Sequence, residues 1–186
     1  MKVLVVGAGA VGQVYAAHLK RSGAHVALYV RPERAEDARR GLTLYRMRAL
    51  FRRHVVETFV ADQVVVSAAE VAAEGWDQVW LCVPTTALAG AWVEALLRAA
   101  GDATVVTIAP GVEVRARVSS LVPPANVVTG LVGLLAYQGP LPGEPLDPGV
   151  AYMFPPFAKS RFSGHPDRVD PVVEALRRGG CPATGH

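Results

Sequence analysis

Cysteine, lysine and long apolar runs are scarce in this chain of 186 residues. Its two cysteines, Cys82 and Cys181, belong to no CxxC or Cys/His cluster, so neither a disulfide framework nor a zinc site is indicated, and a reducing cytoplasm suits them. No apolar run approaches the roughly 20 residues of a membrane helix, and no apolar segment of signal-peptide length follows the start; a soluble, unexported protein that touches no membrane is expected. Aromatics are only 7% of residues and lysine occurs three times against 16 arginines, giving a net charge of +3. The arginine-dense stretches "RPERAEDARR" and "RMRALFRR" mix with acids or apolar residues, which favours solvated faces over a nucleic-acid surface.

Small apolar and β-branched residues are abundant instead, and hydrophobic residues make up 51% of the chain. A domain of this size buries about 70% of its unfolded surface, enough to support a cleft. "KVLVV" reads as a strand buried on both faces. From the glycine-rich turn onward, Val11, Val14, Tyr15, His18 and Leu19 recur at helical spacing, Gly23 ends the helix, and "HVALYV" is a second strand. A short polar helix over "PERAEDARR" comes next, followed by strands "LTLYRM" and "HVVETFVA" and a helix over "AAEVAAEG". Further strands are expected at 77–83, 103–109 and 126–137, with helices over 85–101 and about 112–121 between them. "QGPLPGEPLDPG" is an irregular turn region; "VAYMF" and "KSRFS" read as strands and "DRVDPVVEALRRGG" as a helix. The fold class expected is α/β: a Rossmann-type, doubly wound, mainly parallel sheet with helices on both faces, over residues 1–180, with 181–186 as a tail.

Gly7, Gly9 and Gly12 form G-x-G-x-x-G between strand and helix, within a β-α-β unit. The first glycine permits the tight turn, the second lets the backbone approach a pyrophosphate, and the third lets helix and strand pack closely. Loop residues 7–12, that is Gly7, Ala8, Gly9, Ala10, Val11 and Gly12, are therefore cofactor-binding candidates, with free amides of the helix start facing the anion. An acid at the end of the second strand would favour NAD; this chain has Arg31 there, which can fork onto the 2′-phosphate of NADP. Arg34 either assists or pairs with Glu33 on the surface.

Among other residues, His18 sits on an apolar helix stripe and reads as packed, and the remaining histidines lack metal-ligand spacing. Cys82 reads as a small core residue and Trp76, Trp80 and Trp92 as core or domain-edge residues. No serine lies in a G-x-S-x-G elbow.

The glycine loop with Arg31, the hairpin-like "GLTLYRM", the strand-turns "VWLCVP" and "VVTIAPGVE", and the late "GPLPGEPLDPGVAYMF" together resemble the N-terminal half of the ketopantoate reductase (2-dehydropantoate 2-reductase) family. That resemblance implies reduction of a 2-oxo acid by NADPH in a cleft closed by a helical second domain, which this chain does not include. It also implies cofactor contacts at Val83 and Pro84, where the family usually has lysine at the second position, and at Pro110 and Gly111, where it usually has Asn-Gly. Proline supplies neither an ammonium nor an amide side chain. Thr85 and Thr86 either replace those donors or cap the next helix. The family's general acid, a lysine, belongs to the helical domain, so no catalytic residue is assigned in this chain, and Lys159 is given no role. With that domain missing, an apolar face is expected to be open, and a homodimer is one way to cover it. The competing reading is a non-catalytic NADP-binding module.

Overall fold

The computed structural model describes residues 1–48, 53–109 and 111–186. The chain opens with β1 (Lys2–Val6), α1 (Ala10–Arg21) and β2 (His25–Tyr29), then a 3₁₀ turn (Pro32–Arg34) leading into α2 (Ala35–Arg40). Next come β3 (Leu42–Arg48), β4 (Arg53–Phe59), β5 (Gln63–Val65), α3 (Ala68–Ala72) and β6 (Gln78–Leu81). A 3₁₀ turn (Thr85–Ala89), α4 (Ala91–Ala99), β7 (Thr104–Thr107), α5 (Val112–Ser119) and β8 (Val127–Leu131) complete the middle of the chain. The last part holds β9 (Leu135–Gly139), β10 (Gly149–Met153), β11 (Ser160–Ser163), α6 (Pro166–Arg178) and β12 (Ala183–Gly185).

An eight-stranded sheet has the order β12-β11-β8-β7-β6-β1-β2-β5. Strands β5, β2, β1, β6, β7 and β8 run parallel, whereas β11 lies antiparallel to β8. The continuous burial along β1 after Lys2 and along β6 and β7 is explained by helices on both faces, since alternate side chains enter two different cores. Val3 and Val5 join Tyr15, Trp80, Phe162 and Leu176 on the α1 and α6 side, whereas Leu4 and Val6 join Leu81, Leu96 and Val118 on the α3, α4 and α5 side. This is the mainly parallel, doubly wound α/β architecture that the sequence implies.

The second sheet, β4-β3-β10-β9, departs from that expectation. Strand β10 enters between β3 and β9, parallel to the first and antiparallel to the second. The stretch 126–137 is therefore two strands in two sheets rather than one strand. Gly133 lies at the break, where an added Cβ would sit 2.2 Å from the Lys159 carbonyl carbon and 2.3 Å from the Ser160 nitrogen. Only glycine permits that backbone approach. Nearby, Ser160 Oγ accepts from the Gly133 amide at 3.1 Å and bonds the buried Tyr15 hydroxyl at 2.8 Å.

The helix expected over 85–101 is likewise divided, its first turn being 3₁₀ and α4 starting after Gly90. Residues 181–186, expected as a tail, contribute β12, which pairs in parallel with β11.

Candidate functional site

The glycine loop lies between the last residue of β1 and the start of α1. Gly7 has φ +99°, and its amide donates to the Tyr29 carbonyl at 3.0 Å, tying the loop to the end of β2. A Cβ on Gly7 would meet Val83 Cγ1 at 2.8 Å and the Cys82 carbonyl oxygen at 2.9 Å. Gly12, in the first turn of α1, is pressed on the Gly7 carbonyl, which an added Cβ would approach to 2.2 Å. These two glycines permit close packing. Gly9 is different: a Cβ there would meet nothing within 4 Å. Gly9 stands in the N-cap position of α1 with extended backbone, no side chain caps the helix, and its first turn has no acid. The amides of that turn and the positive end of the helix dipole thus face open space.

That space is a cleft of about 1100 Å³ at the carboxyl ends of β1, β2 and β6. Gly7, Ala8, Gly9, Arg31, Val83 and Pro84 all line it. Ala10 and Val11 lie in the first turn of α1, half-buried against the core, and Gly12 is buried beneath them. Gly111 (φ +136°) precedes α5 and does not line the cleft; Pro110 lies outside the described residues.

Arg31 is an exposed side chain on the rim, and its Nε lies 3.3 Å from Glu33 Oε1. The acid therefore pairs with Arg31 rather than with Arg34, whose own partner is Asp37 at 3.9 Å. Contact through Nε leaves both terminal nitrogens of Arg31 free for a second anion. Thr85 and Thr86 are exposed, neither caps its 3₁₀ turn, and neither lines the cleft.

Several cleft residues gave no signal in the sequence. Gln13 is buried, and its amide nitrogen donates to the Ala8 carbonyl at 2.8 Å, holding the loop from below. Cys82 follows β6 and borders the cleft half-buried instead of sitting within a core strand; burial pushes its thiol pKa up. Tyr29 and Trp92 stack at the cleft wall with centroids 6.1 Å apart. Gln138 and Gly149, from the second sheet, form the far wall. Trp92, Gln138 and Gly149 reach the cleft through contacts between distant segments, whereas Gln13 bonds within the glycine loop itself and Cys82 lies in the turn after β6.

His18 is packed elsewhere. It is fully buried beside the second sheet, its Nδ1 is 2.7 Å from the Gly179 carbonyl, and it makes edge contacts to Tyr152 and Phe154. Burial lowers its pKa to about 4, helped by the cations of Arg21 and Arg46 and opposed by the Gly179 carbonyl. Trp76 and Trp80 are core residues. Among the described residues no group of three or more His, Cys, Asp or Glu could hold a metal, and no helix is long and apolar enough to cross a membrane. Neither lysine nor histidine is found among the described cleft residues.

The sequence profile of the family described as ketopantoate reductase PanE/ApbA matches residues 3–144. Among solved structures, the chain is similar to 2-dehydropantoate 2-reductase from Methylococcus capsulatus, with 25% identity, a TM-score of 0.73, and coverage of 100% of this chain and 56% of that one. It is also similar to the PanE/ApbA family ketopantoate reductase from Ralstonia eutropha JMP134, with 22% identity, a TM-score of 0.73 and coverage of 100% and 56%. A third likeness in fold is D-mandelate dehydrogenase with NADH and anilino(oxo)acetate, with 18% identity, a TM-score of 0.70 and coverage of 100% and 57%. The chain thus spans a little over half the length of these structures. Among curated proteins, none matches it.

Proposed function

The chain belongs to the ketopantoate reductase PanE/ApbA family, and from that premise we propose that it is the NADP(H)-binding part of a cytoplasmic oxidoreductase acting on a small 2-oxo acid. The observation that carries this reading is the uncapped start of α1, open over Gly9, with a guanidinium on the same cleft. Amides of the 7–12 loop hold the diphosphate, and Arg31 takes the 2′-phosphate through its terminal nitrogens while Glu33 engages Nε. Val83 and Pro84 bound the cleft on the β6 side. The bound cofactor supplies the hydride.

The proton for the developing alkoxide has no lysine or histidine source among the described cleft residues, so a second domain or a partner chain, such as the mate in a homodimer, contributes it. The surface supports such a cover. Leu131 ends β8 and Val112 starts α5 after β7, while Phe157 precedes the antiparallel β11; all three are exposed apolar residues on the carboxyl side of the sheet, though none lines the cleft. No nucleic-acid or membrane role is proposed. Pro84, standing where the family usually has lysine, supports a second reading, a nucleotide-binding module that performs no chemistry by itself.

Titration with NADP and NAD tests the cofactor assignment. Arg31→Ala is expected to weaken NADP about ten- to a hundredfold and to leave NAD nearly unchanged; equal losses would mean that Arg31 reads no 2′-phosphate. NADPH oxidation with a panel of 2-oxo acids, with and without a helical second domain supplied, separates the enzyme from the binding module.

A further inference from the structure

We propose that Tyr29 and Trp92 are the base-binding wall of the cleft, with the adenine ring of the dinucleotide stacked against the indole; this rests on the dinucleotide reading above. Tyr29 is the last residue of β2 and Trp92 the second of α4, and the placement of β2 and β6 on either side of β1 brings them together. Their rings are parallel to within 8°, with centroids 6.1 Å apart, and both residues border the cleft half-buried.

The pair is tied to the phosphate end through the backbone of Tyr29. The Tyr29 carbonyl accepts the Gly7 amide, so the aromatic wall and the glycine loop share a hydrogen bond. Trp92 is held by its Nε1 donating to the Ala87 carbonyl at 3.1 Å and by Gly90, where a Cβ would come within 2.6 Å of Cδ1. With its one donor spent inside the chain, the indole offers only hydrocarbon surface. Trp76 and Trp80, by contrast, are 7% and 0% exposed, the burial expected of tryptophans that serve packing alone. Three chemistries therefore border the same cleft: open amides over Gly9, a guanidinium at Arg31, and a flat aromatic pair. These match the diphosphate, the 2′-phosphate and the base of one ligand, and a neutral planar ring is what such a pair attracts.

The test uses the full chain with three probes: NADP, adenosine 2′,5′-bisphosphate and nicotinamide mononucleotide. Adenosine bisphosphate is expected to quench tryptophan emission of the wild type, and Trp92→Phe is expected to bind it within about threefold while losing the quench. Trp92→Leu is expected to weaken both adenosine-containing probes by about five- to a hundredfold and to leave the mononucleotide unchanged. Circular dichroism melting checks that each variant is folded, and should Trp92→Leu unfold, loss or retention of the quench in Trp92→Phe decides. A wild type that binds NADP calorimetrically, with a quench that persists in Trp92→Phe or with wild-type affinity in folded Trp92→Leu, overturns the stacking assignment alone. A wild type that binds neither NADP nor adenosine bisphosphate overturns the dinucleotide reading with it.

Discussion

Helices α1 and α3 begin in opposite ways. At α3, Ser67 Oγ accepts the Glu70 amide at 3.3 Å, and the Glu70 carboxylate reaches back to the Val66 amide at 3.3 Å and the Ser67 hydroxyl at 2.8 Å. This capping-box-like pair engages the Glu70 amide at the start of a five-residue helix. At α1, with 12 residues and a stronger dipole, the cap position is Gly9 and nothing caps it. The far end of α1 is fully furnished, since His18, Lys20, Arg21 and Ser22 all have partners there. Under the proposed reading, the uncapped amides of α1 beside the cleft are the ones that hold the diphosphate.

Substitutions can break this contrast, starting with the largest effect. Gly12→Ala drives a Cβ into the Gly7 carbonyl. It is expected to cost about 3–5 kcal/mol and to lower Tm by roughly 10 °C in thermal melts, far more than Gly→Ala costs at an open position. At the opposite end of α1, the pKa of His18 falls from its ordinary 6.5 to about 4 on folding. Between those values the unfolded chain binds the extra proton, so stability is full above about pH 6.5 and is lost as pH falls toward 4, by about 3 kcal/mol in all. Urea midpoints at pH 7 and pH 5 should show the decline, and His18→Gln should flatten it. Gly9→Asp gives α1 the cap it lacks and sets a carboxylate where the diphosphate belongs. NADP affinity is expected to drop by about a hundredfold with Tm unchanged or slightly raised. Ser67→Ala, at the capped helix, should cost about 1 kcal/mol in chemical denaturation and leave NADP binding untouched.

Local patterns made the large sheet legible. The unbroken apolar strands, the glycine loop and the stripe from Val11 to Leu19 each declare themselves within a few residues, and they set β1, α1 and β2 as expected. The second sheet was not legible as such, because β10 joins β3 through a pairing of Leu44 with Val150 that no short-range periodicity encodes. The same limit hid the break in 126–137, since the need for Gly133 comes from a neighbouring strand entry rather than from its own flanks. In the site, Gly7, Gly9 and Arg31 were readable because motif spacing places them. Trp92 and Gln138 were not, because their positions depend on tertiary contacts, and the pairing of Glu33 with Arg31 in place of Arg34 follows from the 3₁₀ turn at Pro32–Arg34.

The insertion of β10 between β3 and β9 also orders events on the ribosome. Hairpin β3–β4 is synthesised long before its inner neighbour exists, so the nascent chain carries Leu44 on an unsatisfied strand edge until Val150 and Tyr152 emerge. Until then that edge presents unpaired amides and carbonyls, the feature that invites pairing with another chain.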